Sequence, residues 1–114
     1  VTHPEGAELA PEFMDSVALE YDQNKALAGA DFVYTKNWSS YEDYGKVITR
    51  KEDWMITKAK LAHTNNAKFM HCLPVRRNVV VADEVLDSPA SIVLEQANNR
   101  TFAAQAVLKT ILEQ

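Results

Sequence analysis

The sequence has 114 residues, of which 46% are hydrophobic, and these values suit one small domain with an apolar core. The net charge is −4 and the lysines and arginines are spread along the chain, which disfavours nucleic acid as a partner. The single cysteine, Cys72, excludes an internal disulfide and a multi-cysteine zinc site. Because the longest apolar runs are far shorter than a membrane span and no signal peptide is visible, we expect a cytoplasmic protein that binds no membrane.

The first third of the chain favours short strands and short helices. Three segments with alternating apolar residues, or with β-branched and aromatic ones, are predicted to be strands: residues 1–3, 16–21 and 31–35. Two short helices are predicted over residues 8–14 and 22–30, and Gly29 is placed to end the second one in a left-handed conformation.

The remainder of the chain continues the alternation. Residues 37–46 have no clear period and are predicted to form a loop. Glu52 follows Thr49 by three residues, as in a capping box, ahead of a helical run over residues 54–62. The last segments are predicted, in chain order, to be a strand, an extended piece leading into a short helix, a strand and an amphipathic helix: residues 67–72, 78–86, 91–95 and 99–112.

Strands that alternate with helices predict an α/β domain with a doubly wound parallel sheet covered on both faces. In such sheets ligands bind beyond the carboxyl ends of the strands. Residues 36–38 follow the predicted strand 31–35, whereas Cys72, Leu73 and Pro74 lie where the predicted strand 67–72 ends. The sequence therefore predicts a binding site formed by these two segments.

The candidate residues on the second segment each have a structural and a functional interpretation. A lone cysteine such as Cys72 is more often a small buried hydrophobe than a functional thiol. Arg76 and Arg77 are more often a solvated pair than an anion site, although a guanidinium next to a strand end suits a carboxylate. Backbone carbonyls freed where the strand stops at Pro74 can accept hydrogen bonds from an amide or ammonium group of a substrate.

Three further residues carry charge or can move a proton. Lys36 is either an ordinary surface lysine or part of an anion site. Arg100 lies at the start of the predicted last helix, where the helix dipole also favours anions. His71 is more often a hydrogen-bonded core histidine than a general base. His3 and His63 show no spacing that suggests a metal site, so no metal is expected.

Together the motifs HCLP at residues 71–74, NNR at 98–100 and ADFVYTKNW at 30–38 resemble the second half of an aspartate/ornithine carbamoyltransferase. The resemblance covers residues 1–114 and is greatest to the N-succinylornithine and N-acetylornithine carbamoyltransferases of arginine biosynthesis. It implies a Rossmann-like, acylornithine-binding C-terminal domain, truncated at its N-terminus and without the carbamoyl-phosphate domain. The abrupt opening VTHPEG agrees with this expectation.

The resemblance also implies roles for individual residues. Lys36 and Arg76 would bind the acylornithine, while Cys72, Leu73 and Arg100 would contact carbamoyl phosphate, with His71 also in the substrate-binding set. Cys72 and Arg100 would be the catalytic residues, Arg100 by polarising the carbamoyl oxygen. No cofactor is implied.

The implied reaction moves a carbamoyl group from carbamoyl phosphate to the δ-amine of an N-acylornithine, with N-succinylornithine favoured over N-acetylornithine. The family's Ser-Thr-Arg-Thr phosphate loop is not found in the sequence, so we expect no turnover from this chain alone. The family works as a homotrimer. The alternatives are a non-catalytic small-molecule-binding or assembly module derived from this fold, and a generic doubly wound domain with another ligand.

Overall fold

The structure of the protein is a computed structural model that describes residues 1–39 and 52–113. Within these ranges two parallel strands, β1 (Phe32–Thr35) and β2 (Lys68–His71), pair in a sheet. The helices and 3₁₀ helices, in chain order, are a 3₁₀ helix Pro11–Ser16, α1 Gln23–Leu27, a 3₁₀ helix Glu52–Trp54, α2 Lys58–Leu61, α3 Asp83–Leu86 and α4 Val93–Leu112. The α/β class with a parallel sheet is thus confirmed.

The register of the two strands brings their carboxyl ends to the same level. Phe32 pairs with Lys68 at one end, and Thr35 pairs with His71 at the other. In the middle Val33 lies opposite Phe69, and both side chains are buried. The predicted strands 31–35 and 67–72 are therefore confirmed, and the segments that follow them leave the sheet side by side.

The core is built around Phe69, whose side chain is fully buried at 0% exposure. Burial of an aromatic side chain of this size contributes about 1.5–3 kcal/mol. The buried residues packed in the same cluster are Leu27, Val33, Ile56, Ala67, Val81, Val85, Leu86 and Val93. They come from β1, α1, α3, the start of α4 and the loops between them, so one continuous core supports the strand ends.

The predicted strand 91–95 is wrong, because its pairing stops after one residue. The N–H of Phe69 donates to the carbonyl of Ala90 (2.8 Å), and the N–H of Ile92 donates to the carbonyl of Phe69 (2.9 Å), which makes a single parallel bridge at Ser91. The Ile92 carbonyl then accepts from the N–H of Gln96 at 3.0 Å. The backbone has therefore already turned into α4, which begins six residues before the predicted start at residue 99.

The two predicted strands nearest the start of the chain, residues 1–3 and 16–21, are also wrong. The nitrogen of Val1 donates to the carbonyl of Ala18 (2.6 Å), and the N–H of Glu20 donates to the carbonyl of Val1 (3.0 Å). Two such bonds join the segments without forming a ladder long enough for a strand. The predicted helix 8–14 is replaced by the 3₁₀ helix Pro11–Ser16, which begins at the proline because proline lacks an N–H.

The helices near β1 agree better with the prediction. The side chain of Asp22 caps α1 by accepting from the backbone N–H of Asn24 at 2.9 Å. Gly29 has a φ of +70°, the left-handed conformation expected there. The predicted helix 54–62 is interrupted, because Ile56 bonds instead to the neighbouring loop through Val80 and Ala82 (both 2.9 Å).

Part of the predicted organisation lies outside the described residues. The predicted capping residue Thr49 and most of the predicted loop 37–46 belong to that part. Within the described residues, α2 is capped by Thr57, whose hydroxyl accepts from the N–H of Lys60 at 3.3 Å. No helix in the described ranges has the length and apolar character needed to cross a membrane.

Candidate functional site

The two segments that leave the sheet, residues 36–39 after β1 and 72–77 after β2, contain most of the predicted site residues. Lys36 and Cys72 are exposed, Leu73 and Arg76 are half-buried, and Leu73 packs against the core. These two stretches are called the β1 exit and the β2 exit below. Their adjacency follows directly from the parallel register of the strands.

One side chain joins the two exits. The Asn37 amide donates through Nδ2 to the carbonyl of Pro74 at 2.9 Å, and its Oδ1 accepts from the backbone N–H of Arg76 at 3.3 Å. The two bonds join Asn37 to residues that lie 37 and 39 positions later in the chain. Lys36 and Arg76 are therefore carried by segments that are bonded to each other.

His71, the last residue of β2, is buried at 1% exposure. Its Nδ1 accepts a hydrogen bond from the backbone N–H of Leu73 at 2.8 Å, which assigns the ring proton to Nε2. Burial, and secondarily the positive charge of Lys36, lower the pKa of His71, so the ring is neutral at physiological pH. Among the described residues Nε2 has no hydrogen-bond partner.

Leu73 has an unusual backbone conformation for a branched residue. Its φ is +53°, and the following Leu73–Pro74 peptide bond is cis. A left-handed φ at a residue other than glycine costs about 1–3 kcal/mol and persists only where surrounding contacts hold it. The hydrogen bond from Leu73 to His71 and the bond from Asn37 to Pro74 are such contacts. The β2 exit is therefore held in one conformation by its neighbours.

The adjacent arginines have different environments. Arg77 forms ion pairs with Asp83 and Asp87, each at 2.5 Å, and these hydrogen bonds raise its pKa and lower the pKa values of both carboxyls. Asn78 donates to Asp83 as well (2.7 Å). Arg77 thus ties the β2 exit to α3 through Asp83. Arg76 makes no ion pair with any described residue.

Arg100 is not at a helix start, and that prediction is wrong. Because α4 begins at Val93, Arg100 is its eighth residue, where the positive end of the helix dipole no longer acts. The Arg100 side chain is exposed. Arg100 lies seven positions after the buried Val93, so the two lie on the same face of the helix, two turns apart. No described residue forms an ion pair or hydrogen bond with the Arg100 side chain.

A cavity of about 460 Å³ lies beside β1 and the β1 exit. Thr35, Lys36, Asn37 and Trp38 line it, and much of the remaining wall is apolar. Cys72, Leu73, Arg76 and Arg100 do not line this cavity. Lys36, His71, Leu73 and Arg76 thus all lie at the strand ends. The cavity lies beside the β1 exit, which carries Lys36, and not beside the β2 exit.

The role of Asn37 was missed by sequence reasoning. The signal available was an amide side chain two residues after the end of a predicted strand, next to the candidate cation Lys36. In the described ranges, no group of three or more histidine, cysteine, aspartate or glutamate side chains could hold a metal ion.

Comparison with known proteins shows sequence relatives over nearly the whole chain. The chain is 51% identical to the N-succinylornithine carbamoyltransferase of Bacteroides thetaiotaomicron and 35% identical to the N-acetylornithine carbamoyltransferase of Xanthomonas campestris pv. campestris. The alignments cover 99% and 95% of this chain, respectively. They cover 36% and 34% of the two relatives, so the chain spans about a third of their length.

Solved structures agree with this relationship. A mutant N-acetyl-L-ornithine transcarbamylase complexed with carbamyl phosphate and N-succinyl-L-norvaline superposes with a TM-score of 0.81 at 31% identity, covering 94% of this chain and 38% of that one. The ornithine carbamoyltransferase from Pyrococcus furiosus gives a TM-score of 0.68 at 38% identity, covering 79% and 30%. These matches confirm the Rossmann-like α/β fold.

A family model described as the Asp/Orn-binding domain of aspartate/ornithine carbamoyltransferase matches residues 5–111. That range includes both exits and most of α4. The chain belongs to the aspartate/ornithine carbamoyltransferase family.

Proposed function

We propose that this chain is the amino-acid-binding part of a carbamoyltransferase whose acceptor is an N-acylornithine, with N-succinylornithine as the preferred acceptor. The proposal rests on one observation: two cations, Lys36 and Arg76, lie on segments that the Asn37 side chain joins by hydrogen bonds. Neither cation forms an ion pair with a described residue. Identity of 51% to an N-succinylornithine carbamoyltransferase supports the same acceptor.

The charge of the acceptor explains why cations suit this site. Free ornithine carries an ammonium group at its α-carbon and would be repelled by Lys36 and Arg76. In N-succinylornithine that group is an uncharged amide, and the succinyl chain adds a second carboxylate. Lys36 and Arg76 can each pair with a carboxylate, and the planar guanidinium of Arg76 can do so through two hydrogen bonds.

The β2 exit and α4 supply the groups proposed for carbamoyl phosphate. The backbone carbonyls at Cys72 and Leu73 hold the carbamoyl NH₂, while Arg100 stabilises the negative charge that develops on the carbamoyl oxygen. A contribution of this kind is worth about 3 kcal/mol. The neutral δ-amine attacks the carbamoyl carbon, a tetrahedral intermediate forms, and the C–O bond to phosphate breaks as phosphate leaves and the amine loses a proton. The product is an N-acylcitrulline.

Turnover is proposed to require the rest of the protein. The chain spans about a third of the length of its relatives. We propose that the carbamoyl-phosphate domain and most trimer contacts belong to the remaining part of the protein. We expect no N-acylcitrulline from this chain mixed with carbamoyl phosphate and N-succinylornithine. Formation of product at an enzyme-like rate would contradict this division of labour.

Isothermal titration calorimetry with N-succinylornithine, N-acetylornithine and ornithine tests the proposal. The parent chain is expected to bind the ligands in that order of affinity. Arg76→Ala is expected to weaken N-succinylornithine binding at least tenfold. Lys109→Ala removes one positive charge from the exposed end of α4 and serves as the control, with affinity expected to stay within twofold of the parent. Equal binding by the Arg76→Ala variant and the parent would contradict the role of Arg76.

A further inference from the structure

We propose that Asn37 is a positioning residue for recognition of the acylornithine, because its side chain fixes the segment of Arg76 relative to Lys36. This inference rests on the proposed function. The basis is the pair of hydrogen bonds from the Asn37 amide to Pro74 (2.9 Å) and to Arg76 (3.3 Å). Neither bond involves a group proposed to touch the substrate.

The two bonds of Asn37 reproduce what a backbone residue does in a parallel sheet. In a parallel ladder one residue donates to the carbonyl of one neighbour and accepts from the N–H two positions further along the opposite strand. The Asn37 side chain donates to residue 74 and accepts from residue 76 in the same way. The side-chain amide therefore extends the pairing of the two strands beyond Thr35 and His71.

The backbone of the β2 exit makes such a substitute necessary. The left-handed φ of Leu73 turns the chain out of the extended conformation after β2. Pro74 has no N–H and cannot donate to a ladder. A regular ladder therefore stops at this turn, and the Asn37 amide supplies the two bonds that hold the following residues in place.

The consequence for recognition is a preorganised spacing. Lys36 precedes Asn37 in the chain, and the backbone N–H of Arg76 donates one of the two bonds, so the amide joins the backbone segments that carry both cations. A ligand that contacts both cations gains affinity when their separation is fixed beforehand. Loss of the Asn37 amide is expected to leave both cations present but to let their separation vary.

The variants Asn37→Ala and Asn37→Asp test the inference in two measurements. The first is hydrogen exchange of the Arg76 backbone amide without ligand, where Asn37→Ala is expected to be at least tenfold faster than the parent. The exchange of Phe69, in the core, is expected to be unchanged. The second is calorimetry with N-succinylornithine, where Asn37→Ala is expected to weaken binding about tenfold. Asn65→Ala is the matched control, because Asn65 makes one side-chain bond, to Asp31 (2.8 Å), outside the site.

Asn37→Asp adds a pH signature that general destabilisation would not produce. At neutral pH the aspartate carboxylate can accept from the Arg76 N–H but faces the Pro74 carbonyl oxygen with negative charge. When the carboxyl group protonates, near pH 4 for an ordinary aspartate, it becomes a donor to that oxygen. Protection of the Arg76 amide, relative to the parent, is therefore expected to be reduced at pH 7 and restored as the pH falls.

The outcomes separate this inference from the proposed function. If the parent chain does not bind N-succinylornithine, the proposed function fails and the inference fails with it. If the parent binds and Asn37→Ala binds equally well, only the inference is overturned. Unchanged exchange of the Arg76 amide in Asn37→Ala would also overturn it.

Discussion

The Nδ1 atom of His71 accepts a hydrogen bond from the backbone N–H of Leu73 at 2.8 Å, which links the last residue of β2 to the residue with the left-handed turn. This bond requires a neutral ring, because a protonated imidazole donates from both nitrogens. Burial lowers the pKa of His71 and keeps the ring neutral. The conformation of the β2 exit is thereby coupled to the protonation of one buried residue.

The pH dependence of folding follows from this coupling. The pKa of His71 is lowered in the folded chain, so below the unfolded value of about 6.5 the unfolded state binds the proton first. The stability that comes from neutral His71 is fully present above that value and is lost as the pH falls from there through the lower, folded value. Urea unfolding of the parent between pH 7 and pH 5 is expected to show a larger loss of free energy than His71→Asn. Equal losses in both proteins would contradict the account.

Replacement of Lys36 by methionine tests the proximity of the two exits. The charge of Lys36 is the second cause of the lowered pKa of His71, after burial. Lys36→Met is therefore expected to raise the pKa of His71 while leaving it below the ordinary histidine value. NMR titration of the ring protons measures this change, and Lys58→Met, at an exposed position on α2, is the control. If the pKa of His71 changed in Lys58→Met but not in Lys36→Met, Lys36 would not lie close to His71.

Truncation of the central aromatic residue tests the core. Phe69→Ala is expected to lower the free energy of unfolding by about 3–5 kcal/mol, because it leaves a cavity beneath β1 and α4. Phe102→Ala, on the exposed part of α4 at 60% exposure, is expected to change it by less than about 0.5 kcal/mol. Denaturant unfolding of both variants gives the comparison. Similar losses would show that the core lies elsewhere.

The ion pairs of Arg77 predict a second dependence on pH. The hydrogen bond from Arg77 lowers the pKa of Asp87, so the stability it provides is present above the unfolded carboxyl value of about 3.9 and is lost as the pH falls through the lower, folded value. Asp87→Asn is expected to lower the Tm at pH 7, and the difference from the parent is expected to shrink in strong acid. The affinity for N-succinylornithine is expected to remain within twofold. A difference in Tm that is independent of pH would contradict the ion pair.

Sequence patterns predicted best the elements whose signals are local. The β-branched run at residues 31–35, the apolar run at residues 67–72 and Gly29 after α1 were each identified correctly. The alternation at residues 16–21 satisfied the period of a strand but did not form one, because a strand also needs a long partner and pairing is non-local. The helix α4 begins at Val93, whereas the strand-like composition of residues 91–95 favoured a strand there.

The position of the candidate site could be predicted only where local sequence signals sufficed. Lys36 and Cys72 follow the two strands directly, as predicted. That prediction needed only the order of the elements, because ligands bind beyond the carboxyl ends of parallel strands. The sequence could not separate Arg76 from Arg77, because the carboxylates that engage Arg77 come from the first residue of α3 and from the residue that follows the helix. It also could not show that Asn37 reaches across to Pro74, which depends on the exact register of the two strands.

The central claim is that the β1 and β2 exits form one site for an acylornithine. Chemical-shift mapping of backbone amides during titration with N-succinylornithine tests this claim most directly. We expect the amides of Lys36, Asn37, Leu73 and Arg76 to shift together and to saturate with one common Kd. Shifts confined to one exit, or found instead on the exposed end of α4, would contradict it.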